Sequence, residues 1–125
     1  YFRLHPDANI NATYVLEFLK ILSRHLKSPM ILLWDRFLAH RAKKVQFYIQ
    51  GSKGLYSEFL PPYAPELNPV ENVWGYMKRN PMGNDASYDL LTLTKKTRRH
   101  GHSIQKKQNL LRSFVKHTPL FLRLK

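Results

Sequence analysis

The chain has 125 residues, enough for one ordinary domain and too few for two. Its 21 Lys and Arg against 8 Asp and Glu leave a net charge of +13, which favours a polyanionic partner, nucleic acid first. The absence of cysteine excludes a disulfide scaffold and a thiolate metal site. No apolar run approaches the roughly 20 residues that a membrane-spanning helix needs.

Residues 1–5 are rich in aromatic side chains and closed by Pro6, which is typical of the tail of a strand. Because this segment resembles the inside of a strand and no signal-peptide pattern is present, we expect the chain to begin within a domain. A helix with its N-cap at Asn11 is predicted over 12–26. Its expected buried positions are Val15, Phe18, Leu19, Leu22 and Leu26.

The run 30–34 is apolar without alternation, which favours a strand buried on both faces of a parallel sheet. Asp35 follows directly, at the strand end where open α/β sheets place their sites. A helix is predicted over 40–50 and a second strand over 55–60. The helix is expected to bury Val45, Tyr48 and Ile49.

The stretch 59–74, with the sequence FLPPYAPELNPVENVW, leads from the second strand into a helix predicted over 69–79. Asn68 suits the N-cap of that helix and Pro69 suits its first position. Glu71 therefore falls in the first helical turn. The order of strands and helices favours an α/β fold with a mostly parallel sheet.

The tail of the chain is predicted to be helical and basic. After a break at 81–84, Asp85 or Ser87 is expected to cap a segment that carries Leu90, Leu91 and Leu93. We expect His100 and His102 in a basic loop and an amphipathic helix over 103–117. Such a helix can pack its apolar face onto a sheet and turn its basic face to DNA, or it can lie on a membrane.

Asp35 and Glu71 are the sharpest candidates for chemistry. If the two strands are adjacent and parallel, both carboxylates reach one rim of the sheet, where they suit a hard cation such as Mg²⁺. Two such ions can activate a water or a 3′-hydroxyl against a phosphodiester. The spacing alone leaves a structural alternative open: Glu71 can complete a capping box with Asn68, and Asp35 can cap a turn.

Two blocks carry a family resemblance: WDRFLAH at 34–40 and the stretch 59–74. In residue type, order and separation (71 − 35 = 36) they resemble the DDE transposases of the Tc/mariner type, and especially their bacterial insertion-sequence relatives. The resemblance implies a ribonuclease H-like mixed sheet flanked by helices, and cleavage and joining of DNA at transposon ends with Mg²⁺ or Mn²⁺. It makes Asp35 the second acidic metal ligand and Glu71 the third.

The family's first Asp and its N-terminal helix-turn-helix have no counterpart in this sequence. We therefore expect residues 1–80 to form part of a catalytic domain with three of its five strands, and 81–125 to form a basic helical extension. The chain alone is expected neither to cleave nor to join DNA. It could instead be a non-catalytic DNA-binding remnant, or one half of a split or frameshifted transposase.

Further roles are expected for other polar residues. Glu66 is expected to shape its loop, His40 to border the site, and Trp34 and Trp74 to pack in the core. DNA is the expected partner, with a second copy or a missing N-terminal half beside it, in the bacterial cytoplasm at the nucleoid and not at a membrane. The candidate DNA contacts are His40, Lys43, Lys44, Lys78, Arg79, Arg98 and Arg99.

Overall fold

A computed structural model describes residues 1–80 and 89–120. The predicted break at 81–84 and the predicted caps Asp85 and Ser87 lie outside this part of the chain. The described elements are α1 (Ala12–His25), β1 (Met30–Trp34), α2 (Leu38–Arg41), α3 (Lys43–Gly51), β2 (Leu55–Phe59), a 3-10 helix (Pro65–Leu67), α4 (Pro69–Arg79), α5 (Leu90–Lys106) and α6 (Gln108–Lys116).

The chain divides into two compact units. The strand unit is Asp7–Ala64, and the helical unit is Tyr1–Pro6 together with Pro65–Lys125. The fold is therefore mixed α/β, with more helix than strand and one small parallel sheet in the described residues, as predicted at this level. The boundary expected near residue 80 stays a prediction.

The sheet of the strand unit consists of β1 and β2, paired in parallel from Met30 opposite Leu55 to Trp34 opposite Phe59. Both strands were predicted, the first with the same bounds and the second to within one residue. The Leu60 N–H donates to the Trp34 carbonyl at 2.8 Å, so pairing continues just past β2. The two strands thus end side by side.

Helices cover one face of this sheet. The core of the strand unit is formed by Val15, Leu19, Ala39, Val45, Ile49 and Leu55, with Met30, Leu32 and Trp34 packed against it. Of the predicted buried helix positions, Val15, Leu19, Val45 and Ile49 are confirmed, and Tyr48 packs against this core. Leu26 is 39% exposed at the C-cap of α1, past the last helical turn, so its predicted burial is wrong. Ile31, however, is 67% exposed and Leu33 39%, so the expectation that β1 is buried on both faces is wrong. In a strand, alternate side chains point to opposite faces, and only one face of β1 meets the helices of this unit.

The single helix predicted over 40–50 is two helices, α2 and α3. Ala42 between them is extended (φ −60°, ψ 135°), and its carbonyl accepts the N–H groups of Val45 and Gln46. The Gln46 side-chain amide donates to the His40 carbonyl at 2.7 Å. The break between α2 and α3 is stable because these bonds give the carbonyls of His40 and Ala42 the hydrogen-bond donors that an unbroken helix would have supplied.

The helical unit packs α4 against α6 and α5 against α6. The strand predicted over 1–5 is not found, because a strand needs a neighbouring ladder and no described segment pairs with it. The Phe2 ring instead lies against Gly101 of α5. Trp74 is 39% exposed and lines a cavity between α4 and α5, so the expected core role is wrong for this residue.

The prediction of a basic loop at 100–102 is also wrong. Both histidines lie in α5, which begins at the N-cap Asp89 and tolerates Gly101 where Phe2 approaches its backbone. The helix predicted over 103–117 is divided at Lys107 (φ −90°, ψ 73°), whose N–H donates to the Ile104 carbonyl. Ile104 is only 4% exposed, so burial of this position holds the last turn of α5 in place.

Candidate catalytic site

Asp35 stands directly after β1, where the strand ends and the chain turns toward α2. Its Oδ1 accepts the backbone N–H of Phe37 at 3.0 Å and lies 2.8 Å from Nδ1 of His40. The turn-capping role that the sequence left open for Asp35 is therefore real. Both bonds fall on one oxygen, and Oδ2 has no partner among the described residues.

The end of β2 beside Asp35 is held by Arg36. Its Nε donates to the Leu60 carbonyl at 3.3 Å. The rings of Trp34 and Phe59, opposite each other in the register, have centroids 6.1 Å apart and an interplanar angle of 18°. Asp35 is thus attached to a rim where side chains and backbone connect both strands.

His40 lies beside Asp35 although five residues separate them. Its ring stacks on Trp34 at a centroid distance of 4.5 Å and an interplanar angle of 13°. The Phe37 ring meets it edge-on at 5.5 Å. Sequence reasoning placed His40 near the site but missed Trp34 and Phe37 as its walls; the aromatic residues interleaved in WDRFLAH were the available signal.

The loop after β2 leads into α4 through a fixed set of backbone bonds. Asn68 N–H donates to the Pro65 carbonyl at 2.9 Å, and Asn68 Oδ1 accepts the Val70 N–H at 3.2 Å. The predicted N-cap is confirmed. In a capping box, the Asn68 N–H would bond the Glu71 side chain, but Pro65 takes that bond. The capping-box alternative for Glu71 is therefore not realised.

Glu71 is exposed in the first turn of α4. Among residues 1–80 and 89–120, no hydrogen-bond or ion-pair partner engages its carboxylate. A carboxylate in that position is favoured by the helix dipole. It is also available to bind a ligand. Glu66 lies in the 3-10 helix and is exposed.

The atoms of this site that could ligate a metal are the carboxylate oxygens of Asp35 and Glu71, which suit a hard divalent cation. Asp35 has one unpartnered oxygen and its side chain is 55% exposed, and Glu71 is exposed and unpartnered. Their chemistry fits such an ion. However, no group of three or more potential ligands occurs in the described part of the chain. Asp35 lies in the strand unit and Glu71 in the helical unit, so their convergence stays a prediction.

The candidate DNA contacts lie on several helices. Lys43 and Lys44 open α3, and the Lys44 Nζ donates to the Thr13 hydroxyl at 2.6 Å. The other candidates are exposed on the last turn of α4 or in the middle of α5: Lys78, Arg79, Arg98 and Arg99. Flexible, exposed cations of this kind suit phosphate contacts without sequence preference. Their role stays a prediction.

The sequence of the chain matches a known protein family. The family described as DDE superfamily endonuclease matches residues 2–94, about three quarters of the chain. The chain belongs to this DDE superfamily endonuclease family. Endonucleases of this superfamily generally act on DNA and use divalent metal ions.

One curated relative is the "Uncharacterized protein y4pE/y4sA" of Sinorhizobium fredii (strain NBRC 101917 / NGR234). It is 65% identical over 26 residues, which are 21% of this chain and 19% of the relative. The similarity therefore spans about a fifth of that protein. No solved structure matches the chain significantly. Within the described residues, no helix is both long and apolar enough to cross a bilayer.

Proposed function

We propose that this chain is part of the catalytic domain of a DDE transposase of the Tc/mariner type, related to bacterial insertion-sequence enzymes and ribonuclease H-like in fold. One observation carries the proposal. Each of two adjacent parallel strands is followed in the chain by an exposed acid: Asp35 directly after β1, and Glu71 in the first turn of the helix after β2. Family membership supports the same assignment.

Asp35 and Glu71 would hold Mg²⁺ or Mn²⁺ through their carboxylate oxygens, in a site that has two ions in the complete family enzyme. When bound, such ions activate a water or a 3′-hydroxyl and stabilise the leaving oxygen of a phosphodiester. Asp35 offers Oδ2 for this purpose, since Oδ1 is already engaged. The exposed cations of α3, α4 and α5 would contact the phosphate backbone of the DNA.

The family's site needs a third carboxylate, and the described residues contain no group of three ligands that would supply it. The chain alone then neither cleaves nor joins DNA. Its partner would be a complementary N-terminal half or a second copy. Its DNA affinity would place it at the bacterial nucleoid, in the cytoplasm.

A second candidate function is non-catalytic DNA binding by a remnant of a transposase. The net charge of +13 and the exposed Arg98 and Arg99 favour binding whether or not a metal site is complete. The two candidates differ in their response to divalent cations. Only the first candidate, a part of a catalytic domain, requires Asp35 and Glu71 to bind divalent cations.

Thermal melting with increasing Mn²⁺ tests the metal site. A cation at ten times its Kd stabilises the folded chain by about 1.4 kcal/mol, which raises the Tm by several degrees. Glu71→Ala and Asp35→Asn should each remove most of that rise. If Mn²⁺ changes the Tm of wild type and of both variants equally, the result would favour non-catalytic DNA binding.

Incubation with a supercoiled plasmid and Mg²⁺ or Mn²⁺ tests the expected inactivity. Intact plasmid is the expected result. Nicking that Asp35→Ala abolishes would show that the chain is active alone.

A further inference from the structure

We infer that His40 is a positioning residue for Asp35: its imidazole holds one carboxylate oxygen in place and leaves the other free to bind a divalent cation. The inference rests on the proposed function, since it takes Asp35 to be a metal ligand. It assigns His40 a role different from the DNA contact expected from the sequence. The contacts around the imidazole ring are the evidence for this positioning role.

The imidazole is held in one orientation by its surroundings. Trp34 stacks on its face at 4.5 Å, and Phe37 meets it edge-on at 5.5 Å. The carbonyl of His40 is held in turn by Gln46. As a result, the side chain of His40 is only 23% exposed, on a rim where its neighbour Asp35 is 55% exposed.

The bond between the two side chains has a defined direction. A carboxylate can only accept, so Nδ1 of His40 carries the proton and donates it to Asp35 Oδ1 at 2.8 Å. The Phe37 N–H donates to the same oxygen. Two donors on Oδ1 fix the rotation of the carboxylate group. Oδ2 then remains as the oxygen with unused lone pairs.

Fixing the carboxylate lowers the cost of metal binding. An exposed Asp side chain loses rotational freedom when it ligates a cation, and a residue that has already restricted it reduces that loss. Hydrogen-bonding partners of metal ligands typically contribute 10–100-fold in metal affinity. The donor at Nδ1, rather than the ring as a packing group, should therefore carry the effect of His40.

Two substitutions separate these two properties of the side chain. His40→Asn keeps an N–H donor near the position of Nδ1 and removes the ring. His40→Phe keeps a ring that stacks on Trp34 and removes the donor. A purely structural His40 would tolerate His40→Phe better, whereas a positioning His40 would tolerate His40→Asn better.

The test measures Mn²⁺ affinity of the full chain by water-proton relaxation, with thermal melting of each variant alongside. His40→Asn should stay within about threefold of wild type, and His40→Phe should bind about 10–100-fold more weakly although it melts normally. Wild-type affinity in a folded His40→Phe would overturn the inference. So would His40→Asn binding as weakly as a folded His40→Phe.

Asp35→Asn distinguishes failure of this inference from failure of the proposed function. If Asp35→Asn binds Mn²⁺ as tightly as wild type does, Asp35 is no ligand and the proposed metal site fails. If Asp35→Asn loses binding while His40→Phe keeps it, only the positioning role fails.

A measurement without metal tests the hydrogen bond itself. Nitrogen-15 NMR of the wild-type imidazole at pH 8 should show the proton on Nδ1 and a bare Nε2. A proton on Nε2 with a bare Nδ1 would overturn the inference independently of any cation.

Discussion

The ring of Phe2 lies directly against the backbone of Gly101, in the middle of α5. A Cβ at Gly101 would stand 2.6 Å from Cε1 and 2.7 Å from Cδ1 of Phe2, closer than carbon atoms pack. Glycine in the interior of a helix costs about 1 kcal/mol relative to alanine. This close approach therefore explains why a basic helix keeps a residue that weakens it.

Gly101→Ala should destabilise the chain. Overpacking costs about 1–3 kcal/mol, which offsets the gain of about 1 kcal/mol in helix propensity. Urea denaturation followed by circular dichroism measures the change in the free energy of unfolding. Gly51→Ala is the matched control, since a Cβ there meets nothing within 4 Å, and it should be neutral or slightly stabilising.

The same contact predicts coupling between Phe2 and Gly101. In a Phe2→Ala background, the ring is gone and Gly101→Ala should stabilise α5 instead of weakening it. A double-mutant cycle then shows a coupling energy of about 1–3 kcal/mol. Additive effects of the two substitutions would contradict this account.

Burial predicts a large difference between two leucines. Leu19 is 2% exposed in the core of the strand unit, so Leu19→Ala should cost about 2–5 kcal/mol. Leu38 is 78% exposed at the start of α2, so the same substitution there should stay within about 0.5 kcal/mol. Chemical denaturation of the two variants measures both changes in the free energy of unfolding. Similar losses of stability would contradict the burial of Leu19 and the exposure of Leu38.

Asp89 predicts a pH dependence for α5. Hydrogen bonds from the Thr92 hydroxyl and then the Thr92 N–H lower the pKa of this carboxyl, and the charge of Lys95 adds to the effect. A lowered pKa means that the ionised group stabilises the folded state above about pH 4 and that this contribution is lost as the pH falls through the folded pKa.

Asp89→Asn keeps an N-cap acceptor but removes the titration. Wild type should be more stable than Asp89→Asn at pH 6, and the difference should be smaller at pH 3. Urea denaturation at both pH values measures it. A difference that stays constant over this range would show that the charge of Asp89 is not involved.

Two exposed arginines of α5 predict a salt-dependent contribution to DNA affinity. If Arg98 and Arg99 contact phosphates, Arg98→Gln with Arg99→Gln should reduce the slope of log K against log salt by up to about 2. Fluorescence anisotropy with duplexes of unrelated sequence measures this. Lys27→Gln with Lys53→Gln removes the same charge from the strand unit; an equal reduction there would make the effect one of net charge alone.

The sequence by itself determined the features that depend on neighbours within a few residues. The start of α4 follows from Asn68 and Pro69, and the bounds of β1 follow from an unbroken apolar run before Asp35. Caps and turns form bonds within about four residues, so their signals are local. The two acidic candidates, Asp35 and Glu71, and the family resemblance were likewise predicted from two short segments, 34–40 and 59–74.

Only the tertiary structure decided what surrounds each residue. Ile31 reads as buried but one face of its strand is open, and Gly101 reads as a loop residue but Phe2 holds it inside a helix. The sequence predicts His40 as a DNA contact, yet a bend in the backbone and two aromatic rings place its Nδ1 beside Asp35 Oδ1. Burial and long-range contacts depend on elements far apart in the chain, and no local pattern encodes which of them meet.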